Sequence, residues 1–198
     1  MELKNLKTKF LGRNILHFET IDSTQKYIKE ESAQNITNGS LVIADTQSAG
    51  VGTHERKWFT GNNENIAMSF VLYPEADIKV FSNLTQLIAE CIIKTVKTLY
   101  GYELKMKFPN DIICNEKKIA GILTESNTIG EKVKKIIIGI GFNVNQIDFP
   151  EDLKDIATSL KKEFSKDFSK EEIIVEFLNE FEIEYLKLLD EYNIDERK

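Results

Sequence analysis

The chain has 198 residues, of which 41% are hydrophobic, and it carries a formal net charge of −6. This length and apolar content suffice for one compact core, so we expect a single domain over residues 1–198. The negative charge disfavours non-specific binding to nucleic acid. The N-terminal stretch has no apolar signal region and no later run is long enough to span a bilayer, which predicts a cytoplasmic protein without a membrane partner.

The two cysteines, Cys91 and Cys114, stand far apart in the sequence, each inside an apolar segment. They lack the paired spacing of a zinc site or of a disulfide framework. We therefore expect both to be small core residues.

The first elements in chain order are a helix and two strands. Asp22-Ser23-Thr24 supplies capping groups for a predicted helix over 25–32. Short apolar runs at 41–44 and 66–73 predict buried strands. Between them lies a polar loop, 46–65, and loops of this length commonly carry function.

A second helix is predicted from Leu84 to Leu99, where apolar residues recur at helical spacing. Ser82 is placed to cap its start and Gly101 to end it. Three strands are then predicted, at 104–108, 119–125 and 135–144.

The last predicted element is an amphipathic helix that follows Ser169 and Glu172, which together form a capping box. Strands and helices are therefore mixed along the chain without strict alternation. This pattern predicts an α+β domain in which helices pack on a mixed β-sheet.

The loop after the first buried strand combines glycines, cations and an aromatic ring. Gly50 and Gly52 let backbone amides approach an anion closely, and Arg56 and Lys57 add positive charge. Trp58 offers a face for stacking. An ordinary glycine-containing surface loop fits the same residues, and the spacing is not that of a phosphate-binding Walker loop.

Two further segments place lysines beside polar groups at strand ends. Residues 107–111 read Lys-Phe-Pro-Asn-Asp, a cluster of amine, amide and carboxylate that is also common turn chemistry. Lys118 begins the next strand, and Gly121 lies within it. A glycine inside a strand indicates a bulge or the close approach of a ligand.

The third segment, 139–145, reads Gly-Ile-Gly-Phe-Asn-Val-Asn. A dinucleotide fingerprint would need a third glycine where Val144 stands, so that interpretation is disfavoured. We expect these glycines at a strand edge, where they would admit a flat ligand.

In this order and spacing, the segments from Ile21 to Asn145 resemble the catalytic domain of biotin protein ligases. The resemblance implies the mixed-sheet, class II synthetase-like fold of that family, with biotin and ATP bound on one face. It also implies the reaction: the biotin carboxylate attacks the α-phosphate of ATP to give biotinyl-5′-AMP, and a lysine of a biotin carboxyl carrier protein then takes the acyl group.

The resemblance carries roles onto individual residues. Lys118 would bridge the biotin carboxylate and the α-phosphate, and Asp111 would orient or deprotonate the acceptor amine. The implied catalytic residues are Lys118, Asp111 and Lys107. The implied biotin-binding residues are Ser23, Thr24, Gln25, Gln47, Gly50, Gly121, Leu123 and Gly139. The implied ATP- or adenylate-binding residues are Gly52, Thr53, Arg56, Trp58, Asn110, Lys118 and Asn143. Mg²⁺ is expected as the counter-ion of ATP, without a dedicated protein site.

The chain departs from the family pattern at several positions. Val51 and Thr53 stand where relatives often carry arginine, and Glu55 where they often carry glycine. Phe108 replaces the more usual tryptophan. The chain stops soon after its last predicted helix, so we expect the usual small C-terminal β-barrel to be missing or truncated.

Some expectations concern partners and alternatives. About twenty residues before Ile21 cannot build a helix-turn-helix, so no DNA partner is expected, while a homodimer stays open. A lipoate or octanoate ligase or transferase of the same fold is the nearest enzymatic alternative. A biotin-binding module without catalysis is the alternative from another class.

Overall fold

The computed structural model describes residues 3–30, 35–53, 56–60 and 63–194. The strands are β1 (Ile15–Ile21), β2 (Leu41–Gln47), β3 (Ile66–Leu72), β4 (Ala76–Asp77), β5 (Lys105–Lys107), β6 (Asp111–Cys114), β7 (Lys117–Ile129) and β8 (Lys132–Phe142). The helices are α1 (Thr24–Glu30), α2 (Leu84–Tyr100), α3 (Leu160–Phe164) and α4 (Lys170–Glu191), with a 3₁₀ turn at Ile78–Phe81.

In the described ranges, all strands join one mixed sheet in the order β1-β2-β3-β8-β7-β6-β5, with β4 paired to β8. β1 and β2 run parallel, and the other pairs are antiparallel. The long hairpin of β7 and β8 therefore lies in the middle of the sheet rather than at its edge.

Both faces of the central strands are buried, because helices cover them from both sides. Along β3, Phe70 faces the larger core beneath α2 and α4, whereas Val71 faces a smaller core beneath α1. Phe70 contacts Phe181 of α4 with ring centroids 5.3 Å apart. Burying one such side chain contributes roughly 1.5–3 kcal/mol, so these contacts fix α4 on the sheet. Helix α1 is short and leaves part of the sheet face beneath it uncovered. The candidate site lies on this uncovered part of the sheet.

The helix ends follow the sequence signals, with one exception. Gly101 adopts a left-handed conformation (φ 74°) after α2, and the Ser169 side chain accepts from the backbone N–H of Glu172 at the start of α4. The expected capping of α2 by Ser82 was wrong. Asn83 precedes the helix without a side-chain cap, and the Ser82 hydroxyl donates to the Lys79 carbonyl, which closes the preceding 3₁₀ turn.

The expected α+β fold is confirmed, with corrections to its elements. The first helix begins at Thr24, one residue early, and residues 31–32 of its expected span lie outside the described residues. The strand expected at 119–125 extends over Lys117–Ile129. The glycines at 139 and 141 were expected at a strand edge, but β8 is a central strand between β3 and β7. Among the described residues, the elements that were not predicted are β1, β4, β6, α3 and the 3₁₀ turn at Ile78–Phe81.

Both cysteines are buried and free, as expected. Burial raises the pKa of Cys91 to about 12 and also raises the pKa of Cys114. Neither thiol is therefore a ready nucleophile. Within the described residues, no helix is both long and apolar enough to cross a membrane.

Candidate active site

The candidate site lies on the sheet face that α1 only partly covers, where strand pairing aligns small residues in rows across the central strands. The first row is Ser69, Gly139 and Leu123. The second row is Ala67, Gly141, Gly121 and Asp111. Because glycines occupy three of these positions, the floor of the site is flat backbone with little side-chain cover.

An inner cavity lies on this floor, beside the first turn of α1. Its volume is about 40 Å³, enough for only a few water molecules, since one water needs about 10–15 Å³. It is lined by Ser23, Thr24, Gln25, Gln47, Val51, Gly52, Thr53, Trp58, Met68, Ser69, Asn110, Lys118, Gly121, Ile122, Leu123, Gly139, Ile140 and Gly141.

Trp58 fills much of the space above the glycine floor. A methyl group on Gly141 would lie 2.2 Å from Cε2 of the Trp58 ring, and one on Gly121 would lie 3.2 Å from its Cζ3. The indole N–H is buried and has no hydrogen-bond partner among the described residues. A buried donor without a partner costs about 1–3 kcal/mol, so Trp58 is poised to gain from a ligand acceptor or from a shift of its loop.

Polar side chains form a connected chain at one end of the inner cavity, which we call the polar array (Gln47, Thr24, Ser69, Gln25 and Glu125). The Gln47 Oε1 accepts from the backbone N–H and the hydroxyl of Thr24, at 2.8 and 3.1 Å. The Thr24 and Ser69 hydroxyls lie 2.8 Å apart. The Ser69 hydroxyl lies 3.2 Å from Gln25 Oε1, and Gln25 Nε2 donates to Glu125 Oε2 at 2.9 Å.

Glu125 is held at the outer end of the polar array by two donors, Gln25 and Lys29. The Lys29 amine lies 2.7 Å from Glu125 Oε1. Desolvation raises the pKa of Glu125, but the hydrogen bonds from Lys29 and Gln25 outweigh it and leave the pKa below its ordinary value of 4.5. The carboxylate is therefore ionised at neutral pH.

Lys118 lies at the other end of the inner cavity, where it opens outward. Its amine lies 2.6 Å from Asp111 Oδ1 and 5.4 Å from the centroid of the Trp58 ring. About a third of each side chain of the ion pair is exposed, 34% for Lys118 and 30% for Asp111. The amine is thus held in place yet open to an incoming anion.

An outer cavity of about 500 Å³ adjoins the inner one. Gly52, Thr53, Trp58, Asn110 and Lys118 line both cavities. The outer cavity is further lined by Arg56, Lys57, Phe59, Lys107, Pro109, Asp111, Ile113, Glu116, Asn143, Phe149, Leu153, Asp155, Ile156 and Ala157. Across the described part of the chain, no three His, Cys, Asp or Glu side chains are grouped to hold a metal ion.

The structure brings nearly all of the sequence-predicted site residues to these two cavities. Gly50 is the exception, because it is buried behind Gln47: a methyl group there would lie 2.9 Å from Gln47 Nε2. Two asparagines also hold the walls together. Asn110 Nδ2 donates to the Ile122 carbonyl at 3.0 Å, and Asn143 Nδ2 donates to the Thr158 carbonyl at 3.0 Å.

Sequence reasoning missed Ser69, Glu125 and the segment 149–157. Ser69 stands inside an apolar strand and Glu125 in the polar second half of β7, and only the strand register brings them to the site. Segment 149–157 forms one wall of the outer cavity and contains no motif that would have marked it. Gly141 was noted within its segment, but its contact with Trp58 could not be foreseen from the sequence.

Comparison with known proteins matches residues 17–143 to the model of the biotin/lipoate A/B protein ligase family. The bifunctional ligase/repressor BirA of Bacillus spizizenii is 39% identical over 182 residues, which are 91% of this chain and 56% of the relative. The biotin–[acetyl-CoA-carboxylase] ligase of Paracoccus denitrificans is 32% identical over 114 residues, 57% of this chain and 47% of the relative. The chain thus spans only about half the length of these curated relatives.

Among solved structures, the biotin protein ligase of Aquifex aeolicus in complex with biotin and ATP aligns with a TM-score of 0.76 at 33% identity. The alignment covers 90% of this chain and 72% of that one. Residues 17–143, which match the family model, contain both glycine rows, the polar array and the Lys118–Asp111 pair. The chain therefore belongs to the biotin/lipoate A/B protein ligase family.

Proposed function

We propose that this chain activates biotin with ATP to form biotinyl-5′-AMP and transfers biotin to a lysine of a biotin carboxyl carrier protein. The observation that carries the proposal is the position of Lys118 between two adjoining cavities. The inner cavity has a flat floor and a polar array, and the outer one has room for a nucleotide. The Aquifex aeolicus ligase, which resembles this chain, binds biotin and ATP.

The inner cavity suits the fused rings of biotin. The glycine rows accept a flat ring system, while Thr24 and Gln47 offer hydrogen-bonding groups to the ureido ring. Leu123 lines the same cavity and supplies apolar contact. Because the present cavity is too small for a bicyclic ligand, biotin entry requires Trp58 to move off the floor.

Lys118 would act where the two substrates meet. Its ammonium group neutralises the biotin carboxylate and the α-phosphate as they approach, and it stabilises the negative charge that develops on the phosphoryl oxygens. Asp111, 2.6 Å from the amine, holds Lys118 in this position before substrates bind. Once the phosphates engage Lys118, the Asp111 carboxylate is free to orient or deprotonate the acceptor lysine.

ATP would enter the outer cavity as its Mg²⁺ complex, with the metal as part of the substrate. Arg56 and Lys107 line this cavity and provide positive charge for the phosphates. Asn110 and Asn143 have their amide nitrogens committed to the walls, so they shape the cavity more than they bind through those atoms.

Lipoate is the weaker candidate substrate, because its dithiolane ring has no N–H or C=O group to pair with the polar array. A module that binds biotin without reacting would have no need for the Lys118–Asp111 pair at the cavity junction. Both observations favour biotin ligation over the two alternatives.

The proposal is tested by pyrophosphate exchange into ATP, measured with biotin and separately with lipoate. We expect pyrophosphate exchange with biotin only, and, in a separate assay, transfer of labelled biotin to the lysine of a carrier domain. Lys118→Ala should lower exchange by about a hundredfold or more, as loss of a transition-state charge contact does. The neighbouring Lys117, whose amine lies 3.4 Å from the Lys154 carbonyl outside both cavities, provides the matched control as Lys117→Ala. Equal rates in the two variants would remove Lys118 from the mechanism.

A further inference from the structure

The polar array does not end at the cavity wall but continues through Gln25 to Glu125, a residue that lines neither cavity. Glu125 lies on the same face of β7 as Gly121 and Leu123, four residues after the first and two after the second. Its carboxylate therefore reaches the buried side of α1, where Gln25 is only 5% exposed.

Glu125 fixes which way the Gln25 amide points. An ionised carboxylate can only accept hydrogen bonds, so the group facing it must be the Gln25 nitrogen. The same nitrogen also faces the Ile137 carbonyl at 3.4 Å, another acceptor. The Gln25 oxygen must then point inward, toward the Ser69 hydroxyl and the bare backbone of Gly139.

With this orientation the polar array is one proton short. The part of the array inside the cavity runs between two amide oxygens, Gln25 Oε1 and Gln47 Oε1. The hydroxyls of Ser69 and Thr24 stand between these oxygens. Three oxygen–oxygen contacts join these four groups, but the two hydroxyls have only two protons to donate. One contact therefore lacks a proton, and one acceptor position stays open to an outside donor.

We propose that Glu125 is a positioning residue for the biotin site, which keeps the polar array short of one proton so that the array selects a ligand carrying an N–H donor. The proposal rests on the proposed function, because the ureido ring of biotin carries such N–H groups. Gln47 Oε1 accepts from the Thr24 backbone N–H, and its second acceptor position stands open when the Thr24 hydroxyl donates to Ser69.

Removal of the carboxylate allows the array to adopt a second hydrogen-bonding pattern. If the Gln25 amide turns over, it gives up the long 3.4 Å contact with the Ile137 carbonyl. In return, its nitrogen donates to Ser69, Ser69 donates to Thr24, and Thr24 donates to Gln47. Every contact then has its proton, and the position on Gln47 Oε1 that was open to the ligand is filled by the Thr24 hydroxyl. The array would be more satisfied internally and a poorer partner for biotin, because an N–H of the ligand would displace an existing bond.

The experiment compares Glu125→Gln with Lys29→Met. The first variant removes the charge that orients Gln25, while the second removes only the other partner of Glu125, 2.7 Å away. We expect Glu125→Gln to weaken biotin binding, measured by calorimetry, by about tenfold, the scale of one hydrogen bond. Its KM for biotin should rise, with kcat at saturating biotin and the KM for ATP unchanged. Lys29→Met should bind biotin as the unchanged protein does.

A third variant, Gln25→Leu, tests whether Glu125 acts through Gln25. With the inner acceptor gone, Ser69 can donate to Thr24, so Glu125→Gln should cause no further loss of biotin affinity in the Gln25→Leu background. Should Glu125→Gln not fold, Gln25→Leu alone should still bind biotin about tenfold more weakly, and unchanged affinity would overturn the proposal.

Other results also overturn it. If Glu125→Gln binds biotin as tightly as the unchanged protein does, Glu125 is only a structural ion pair. The same conclusion follows if Lys29→Met and Glu125→Gln lose equal biotin affinity and show equal drops in melting temperature. A full Glu125→Gln effect that persists beside Gln25→Leu would show that the carboxylate does not act through the amide. If the unchanged protein neither binds biotin nor supports pyrophosphate exchange with it, the proposed function itself fails, and that outcome is distinct from the others.

Discussion

Gly141 shows how much the site depends on one missing side chain. A Cβ atom there would lie 2.2 Å from Cε2 and 2.5 Å from Cζ2 of Trp58, closer than real contacts allow. We expect Gly141→Ala to push the indole off the glycine floor. Because Trp58 is the only tryptophan, the intrinsic fluorescence of the protein reports this directly. The emission maximum should move to longer wavelength, and quenching by acrylamide should increase.

Gly130→Ala is the matched control for this fluorescence measurement. A methyl group on Gly130 would meet nothing within 4 Å, although its φ of 61° makes the substitution strained. That variant should lose about 1 kcal/mol of stability without a change in tryptophan emission. Identical spectra for Gly141→Ala and the unchanged protein would mean that Trp58 does not rest on the floor in solution.

The residues of the site differ in how far the sequence reveals them. Thr24, Gln47 and Lys118 stand in polar or glycine-containing segments that attract attention in the sequence, and all three line the inner cavity. Ser69 and Glu125 could not be found in this way. Ser69 stands between Met68 and Phe70, and Glu125 stands in the polar run Thr124-Glu125-Ser126, which is typical of an exposed strand end. Their place in the polar array depends on the pairing register of β3, β8 and β7, which only the folded chain displays.

At the scale of elements, α4 holds the N-terminal segment through a buried carboxylate. Glu182 is 4% exposed and accepts from the backbone N–H groups of Lys9, Phe10 and Leu11. Both of its oxygens are used. In Glu182→Gln one oxygen becomes an NH₂ group that faces backbone donors, so we expect a loss of roughly 1.5–3 kcal/mol in the free energy of unfolding. Urea denaturation measures it.

Glu191→Gln, at an exposed position on the same helix, controls for the loss of one negative charge. Its stability should stay within about 0.5 kcal/mol of the unchanged protein. A similar small change in Glu182→Gln would contradict the anchoring role, because a buried carboxylate with three donors cannot be neutral to stability.

The elements that the sequence predicted well are those with a strong period. Helices α2 and α4 repeat apolar residues over several turns, and their main bounds follow from that repeat together with Gly101 and Ser169. β6 and α3 have four and five residues, too few to establish a period. β1 was missed because it is an edge strand whose residues are all half-buried or exposed, so no apolar run marks it.

At the scale of the whole molecule, the net charge of −6 opposes retention of an anionic intermediate such as an acyl adenylate. Retention must therefore come from local groups. The cations that line the outer cavity are Arg56, Lys57, Lys107 and Lys118, and Lys118 is already paired with Asp111. Thr53 lines both cavities, at a loop position where relatives of this family often carry arginine.

We therefore expect the adenylate to leave this protein readily and Thr53→Arg to slow its release. An arginine that reaches the phosphate adds a charge-assisted hydrogen bond worth about 1.5–3 kcal/mol, which corresponds to roughly ten- to hundredfold in the dissociation rate. The rate is measured by preforming labelled biotinyl-AMP on the enzyme and following its release without carrier protein. Labelling of bystander lysines should fall in parallel.

The control for Thr53→Arg must add the same charge away from the cavities. Thr98→Arg does so, because Thr98 is exposed on α2 and lines neither cavity. If the net charge of the molecule governs retention, both variants slow release equally, since each changes −6 to −5. If local charge governs retention, only Thr53→Arg slows the release of the adenylate. Because the adenylate is partly enclosed, raising the salt concentration should then weaken this effect less than it weakens an exposed ion pair. An unchanged release rate in Thr53→Arg would show that retention of the adenylate does not depend on charge at this position. It would contradict the expectation that the adenylate leaves this protein readily for want of that charge.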